Sequence, residues 1–329
     1  MFNSVLTSIR DFYSSKQICC KSAVSNKQTA NLSSHQVDCV GLLSIIVPTY
    51  KSAKTIKQCL QSILRQTYQN FEIVVVYKDS QDDTLQIIQS LNDKRIRTIE
   101  QTDNTGPGGA RNIGVIKANG DWIGFVEADD CLCEDFYSKL VAGISNNDVD
   151  IVCGEINANG KYMNKHKKDG IYSSFYEKFN LIRNGATFDK IFKKELIISH
   201  NIKCSDKIRW EDNIFIFKAF YYARKIKTVS NAIYFYNVSP WSAEYKAILQ
   251  NDVVPEVEEI IEFINKNKFN FFQRDLAYRK IIKSFAGNFI QVPEIYSQMK
   301  SLMNSPYFFI RLNFKTKIKN IKKILRKGK

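Results

Sequence analysis

The sequence predicts an α/β fold, a mostly parallel sheet flanked by helices and followed by a helical C-terminal region. Over about 115 residues from Leu42, short apolar β-branched runs alternate with segments of helical spacing, the pattern of a doubly wound sheet. Polar clusters follow three of those runs, on the carboxyl edge where such sheets bind ligands.

Residues 43–47 (Leu-Ser-Ile-Ile-Val) form a short buried run closed by Pro48, and Ser52 can cap a helix whose apolar positions are Ile56, Leu60, Ile63 and Leu64. Residues 71–77 read as a second buried strand, 82–91 as a short helix with Leu85, Ile88 and Leu91 on one side, and 96–99 as a third strand. A glycine-rich loop over 105–109 leads to a helix over 110–118. Residues 122–126 form a fourth strand running into Glu127-Ala-Asp-Asp130, followed by a helix over 134–144 and a strand over 150–153. Beyond about residue 155 the alternation gives way to Tyr- and Phe-dense, Lys-rich sequence, with helical stretches over 211–223, 254–266 and 271–289. Residues 1–40 are polar and weakly periodic and read as an extension.

With 44% apolar and 25% charged residues in 329, the composition is that of a soluble globular protein. No run approaches the ~18 apolar residues of a membrane span, and the N-terminal segment does not read as a secretory signal. The 8 cysteines follow no disulfide or zinc spacing, and reduced thiols point to the cytoplasm. The formal charge is +15, and 8 of the 15 residues from Lys315 to Lys329 are Lys or Arg. Ile318, Ile321 and Leu325 recur among them at helical spacing, so this tail reads either as an amphipathic segment for an anionic membrane surface or as a solvated terminus. No nucleic-acid motif or ordered basic–aromatic stripe occurs, and no nucleic-acid partner is expected.

Glu127-Ala-Asp129-Asp130 is the strongest chemical signal. Carboxylates closing a buried strand need a positive partner, and a divalent cation bridging a diphosphate would supply one; isolated acids of this kind otherwise only cap the next helix. Gly106-Pro-Gly-Gly-Ala-Arg111 is no dinucleotide fingerprint, because Arg stands where the third Gly is required, and no P-loop or Gly-x-Ser-x-Gly occurs. The glycine loop nevertheless opens a helix whose free N–H groups, with Arg111, could meet a phosphate. Glu211 and Asp212 start an apolar helix: they either complement its dipole or, rimmed by Trp210 and Phe215, provide a base with a raised pKa.

Taken in order, Ser-Ile-Ile-Val-Pro-Thr-Tyr50, residues 66–76, Gly109-Ala-Arg-Asn-Ile-Gly114, Gly120-Asp-Trp-Ile-Gly-Phe-Val126, Glu127-Ala-Asp-Asp130 and Glu211-Asp212 resemble glycosyltransferase family 2 over about residues 42–220. The resemblance implies a GT-A, Rossmann-like domain over 41–240, with a nucleotide-sugar half at 41–155 and an acceptor half at 156–240, then a helical region at 241–314 and the tail at 315–329. It implies an inverting hexosyl- or N-acetylhexosaminyltransferase using a nucleotide-diphosphate sugar, expected to be a UDP-sugar, and a glycan or lipid-linked acceptor of bacterial surface polysaccharide. Pro48, Thr49, Tyr50, Asp79, Arg111, Asn112, Glu127, Ala128 and Asp129 match its nucleotide-sugar contacts. Asp129 and Glu127 match its Mn2+ or Mg2+ ligands, and Asp212, beside Glu211, matches its catalytic base. The sequence departs from the pattern at Lys78, aligned with the base-reading Asp, at Lys51, at Glu127, and in lacking a His after Asp212. A basic membrane- or nucleic-acid-binding homologue without activity is the alternative these departures support. The enzyme reading expects a cytoplasmic protein, peripheral on the inner face of the membrane.

Overall fold

A computed structural model describes residues 40–144, 148–166, 168–182, 185–206, 211–237 and 243–285. The N-terminal extension to residue 39, Trp210 and the tail 315–329 lie outside the described residues.

The first half alternates as the periodicity predicts, with one short added strand, β5: β1 (Leu43–Thr49), α1 (Ile56–Leu64), β2 (Phe71–Tyr77), α2 (Thr84–Ser90), β3 (Ile96–Glu100), α3 (Gly106–Lys117), β4 (Trp122–Phe125), β5 (Cys131–Leu132) and α4 (Phe136–Ala142). The second half is richer in strands than the sequence reading allowed: β6 (Ile151–Ala158), β7 (Lys161–Asn164), β8 (Gly170–Tyr172), α5 (Phe175–Leu181), β9 (Lys190–Lys193), α6 (Lys194–Ser199), α7 (Glu211–Tyr222) and β10 (Ile226–Tyr236). Two helices follow, α8 (Ala243–Lys266) and α9 (Phe271–Phe285).

Among the described residues the strands form one sheet in the order β3-β2-β1-β4-β9-β6-β10-β5, with β7 added to β6 and β8 to β10. Pairing is parallel across β3, β2, β1 and β4. β9 then inserts antiparallel between β4 and β6, while β6 and β10 run parallel. Successive side chains of a strand face opposite ways, and β1 divides accordingly. Ile45 and Val47 enter the core beneath α1 and α4, whereas Ile46 enters the one shared with α3, α7 and α8. The second core includes Val257, Ile260 and Phe263, so α8 packs on the same apolar mass as the sheet.

Two local expectations change. Ser52 does not cap α1 with its side chain: its hydroxyl donates to the Tyr50 carbonyl (3.0 Å), and the helix begins four residues later after Thr55. The glycine-rich segment is no loop ahead of α3 but its first turn, where Pro107 stands at a position that needs no N–H donor. Gly108 is required there, because a Cβ would lie 2.1 Å from the Ser205 carbonyl oxygen and 3.0 Å from Glu211 Cγ.

Candidate active site

Parallel strands end on a common edge, so the loops after β1, β2 and β4 converge. Thr49 and Tyr77 are paired at the ends of β1 and β2, and the Val126 amide donates to Ile46 (3.0 Å) beyond the end of β4. Pro48 and Thr49 are buried within β1, and the Thr49 hydroxyl turns back to the Val47 carbonyl (3.1 Å). Tyr50 is exposed, with the Lys51 ammonium 5.3 Å from its ring centre. Asp79 is exposed and accepts from the Gln81 amide (3.1 Å). The acid that organises these loops is Asp82. It accepts from the Ser80 hydroxyl (2.7 Å), the Thr84 hydroxyl (2.9 Å) and the Ala53 amide (3.4 Å), bonds that hold its carboxyl below the usual range. Lys78 hydrogen-bonds the Asn104 side chain, which ties the second loop to the one after β3.

Arg111 joins two of the acids named by the resemblance. It lies on the inward face of α3, its side chain 5% exposed, and donates from Nη1 to Glu211 Oε1 (2.5 Å) and from Nη2 to Glu127 Oε1 (2.5 Å). Burial works against its charge, but Glu127 and then Glu211 outweigh it and raise its pKa well above the ordinary value. The guanidinium thus bridges Glu127, just beyond β4, to the first residue of α7. Asn112 is also committed internally. Its amide donates to the Cys204 carbonyl (2.9 Å) and its oxygen accepts from the Cys204 amide (2.9 Å), which pins the segment leading towards α7.

The three acids after β4 have three environments. Glu127 is half-buried on Arg111, and its amide donates to the Tyr234 hydroxyl (3.0 Å). Ala128 is buried. Asp130 is buried as well, accepting from the Tyr234 hydroxyl (2.7 Å) and the Asn237 amide (2.6 Å); burial and then the charge of Asp129 push its pKa well up. Asp129 is half-buried between them, on the edge where the loops meet. Asp82 belongs to one of the polar clusters that follow the strands, whereas Tyr234 and Asn237 carried no sequence signal beyond ordinary strand or turn chemistry.

Glu211 and Asp212 open α7. Burial raises the Glu211 carboxyl against the opposing pull of Arg111. Burial and then the neighbouring Glu211 push Asp212 up to about 8, a value suited to taking a proton near neutral pH. Phe215 does not rim this acid. It is buried edge-on against Phe125 (5.6 Å) and Phe192 (5.3 Å), and so anchors the helix in the core.

Among the described residues no three His, Cys, Asp or Glu side chains gather into a metal-holding set. Glu127 is engaged by Arg111, and Asp129 is the half-buried carboxylate beside it. One carboxylate fits Mg2+ or Mn2+ when substrate phosphates complete the coordination. No helix among the described residues is long and apolar enough to cross a membrane.

The loops after β1, β2 and β4, the acidic end of β4 and the acids that open α7 are joined at the carboxyl edge of the sheet, where α/β sheets bind ligands. Residues 44–220 match the family described as "Glycosyl transferase family 2", more than half of the sequence, and the chain belongs to that family and is a glycosyltransferase. It is 27% identical over 219 residues to glycosyltransferase GlyG of Streptococcus pneumoniae, covering 59% of this chain and 70% of that protein. Its fold is similar to that of Staphylococcus aureus TarS crystallised with UDP-GlcNAc (TM-score 0.63, 22% identity, 81% of this chain and 78% of that one). It is also similar to a Pyrobaculum calidifontis mannosyltransferase bound to GDP-Man and Mn2+ (TM-score 0.53, 17% identity, 81% and 82%).

Proposed function

We propose that this chain transfers a sugar, with inversion, from a UDP-sugar to a hydroxyl of a glycan or lipid-linked acceptor in bacterial surface polysaccharide synthesis. The observation that carries this reading is Asp212: a half-buried acid with a pKa near neutrality, set at the start of α7 and tied through Glu211 and Arg111 to the acidic end of β4. Asp212 takes the proton of the acceptor hydroxyl as that oxygen forms its bond to the anomeric carbon. The bond from that carbon to the diphosphate breaks on the opposite side, and the electron pair leaves with UDP. The loops after β1 and β2 hold the nucleoside, with Tyr50 presenting a ring and Asp79 an acceptor. Asp129 would hold a divalent cation, which would supply Lewis-acid stabilisation of the departing diphosphate.

The TarS complex with UDP-GlcNAc supports a UDP-linked donor, and the Mn2+ complex of the mannosyltransferase supports a metal. The basic sequence of 315–329 supports a peripheral position on the inner face of the membrane. The test is incubation of the purified chain with a panel of nucleotide sugars, Mn2+ present or absent, followed by mass spectrometry for released nucleotide. Consumption of a UDP-sugar that is lost in Asp212→Asn supports the reading; a panel left untouched, with no donor raising the melting temperature, would favour the inactive binding homologue.

A further inference from the structure

The first four N–H groups of an α-helix have no partner within the helix, and a neighbouring side chain normally supplies one locally. In the first turn of α7 one backbone amide is met by a side chain from far along the chain. The Ile214 amide donates to Glu256 Oε1 (2.8 Å), 42 residues downstream on α8. Glu256 is fully buried, and its Oε2 has no hydrogen-bond partner among the described residues. It lies beyond the part of the sequence that matches the family, residues 44–220.

We propose that Glu256 is a positioning residue for the base. By holding the first turn of α7 it fixes the carboxylate of Asp212, which makes α8 part of the working enzyme. The inference rests on the assignment of Asp212 as base. Three further contacts support it. Lys218 of α7 pairs with Glu259 of α8 (3.0 Å), and Phe217 and Tyr221 of α7 pack edge-on against Phe263 of α8 at 6.4 and 5.3 Å. The capping acid therefore sits at one end of a packed helix pair that resists rotation of α7.

The acid is suited to this task as a neutral group. The titratable groups around it are Asp212 and Glu211 on α7, Glu259 on its own helix and Lys218 paired to Glu259, with Arg111 of α3 paired to Glu211 and the Cys204 thiol, which burial keeps neutral. Burial, then Glu259, Asp212 and Glu211, push its pKa to about 9 against the opposing bond from Ile214. A protonated carboxyl can still accept from Ile214 through one oxygen without adding a third negative charge beside Glu211 and Asp212. Glutamine reproduces that neutral acceptor; alanine removes it, and aspartate withdraws it by one methylene.

The experiment compares wild type, Glu256→Gln, Glu256→Asp, Glu256→Ala and Asp212→Asn. It measures kcat and KM for the nucleotide sugar, the pH–rate profile, and hydrogen exchange over 211–222. Displacement of a catalytic group by even a fraction of an ångström lowers rate strongly, so Glu256→Ala should reduce kcat by about 10–100-fold at an unchanged donor KM. Its acid limb should move and exchange in the first turn of α7 should accelerate. Glu256→Gln should stay within about 3-fold of wild type with an unmoved acid limb, as second-sphere rescue requires. If the alanine variant does not fold, an intermediate loss in Glu256→Asp with full activity in Glu256→Gln supports the inference. Wild-type kcat and exchange in the alanine or aspartate variant overturn it, as does a Gln variant as impaired as Ala. Asp212→Asn separates the two readings: an active Asp212→Asn removes the base itself, whereas an inactive one beside a fully active Glu256→Ala removes only the positioning role.

Discussion

Replacing Arg111 by methionine removes the charge while keeping most of the side-chain volume. In the native chain one guanidinium neutralises two carboxylates, each at 2.5 Å, with Arg111 and Glu211 side chains 5% and 10% exposed and Glu127 24% exposed. Breaking a buried ion pair from one side typically costs about 3–5 kcal/mol, because the partner is left charged and unpaired. Here the cost has a ceiling, since one acid can instead take up a proton. Each pH unit by which a carboxyl is held neutral above its ordinary pKa of about 4.3 costs about 1.36 kcal/mol, so the loss should be about 3–4 kcal/mol at pH 7 and about 1 kcal/mol at pH 5. The sign follows from linkage: the variant raises the folded-state pKa of the acids, so stability is retained at low pH and lost as pH rises. Urea unfolding followed by tryptophan fluorescence at both pH values gives the two numbers. Adding Glu127→Gln to Arg111→Met should recover much of the loss at pH 7, measured as a double-mutant cycle. A loss below about 1 kcal/mol at both pH values, coupled to a large rise in the Kd for UDP, would refute the internal bridge and return Arg111 to the nucleotide contact that the sequence resemblance implies.

Asp212→Asn should lower kcat by at least about 10²–10⁴-fold while leaving UDP affinity near wild type by calorimetry, the range expected on losing a general base. The same variant should be more stable than wild type at pH 8, because the amide removes a carboxyl that burial makes costly to ionise. The raised pKa of Asp212 means its stability contribution is present below the unfolded value and lost as pH rises towards about 8, so the gain should vanish near pH 4. In wild type, log(kcat/KM) should climb with pH along an acid limb whose midpoint lies near the Asp212 value of about 8; a flat profile from pH 6 to 9 would exclude this base. Asp129→Asn should weaken Mn2+-supported binding of UDP-sugar about 10–100-fold, and chelation should have little further effect on it; undiminished metal response would remove Asp129 as the ligand. Gly108→Ala places a methyl 2.1 Å from the Ser205 oxygen and should lower stability by about 1–3 kcal/mol, visible as a reduced Tm. Deleting 315–329 should release the protein from anionic vesicles in a sedimentation assay, and unchanged binding would exclude the tail as the anchor.

The parallel half of the sheet was legible because its signals are local. Ile45, Val47, Ile73 and Val75 recur at a period of two, and Ile56, Leu60 and Ile63 at helical spacing; both periods survive into the structure because the two faces of the sheet are covered by separate cores. β7 to β10 were missed. These strands lack an alternating pattern bounded by turns, and β9 is held by pairing with β4 and β6 on either side, which only the assembled sheet provides.

The sequence by itself determined the order of the chemical elements: the run into Pro48-Thr-Tyr50, the acids at 127–130 and the Glu211-Asp212 pair. Each depends on residue type at fixed spacing along one segment. Only the tertiary structure decided how these groups are used. Arg111 meets Glu211 and Glu127, Asn112 meets Cys204, and Gly108 lets the first turn of α3 approach Ser205 and Glu211 closely. The cap on α7 comes from Glu256, 42 residues away, and no local pattern can announce it. Sequence spacing specifies which face of a helix or strand a residue occupies. Which charge that face meets, and hence whether an acid is a strut, a counter-ion or a base, is settled by burial and by the groups that other segments bring to it.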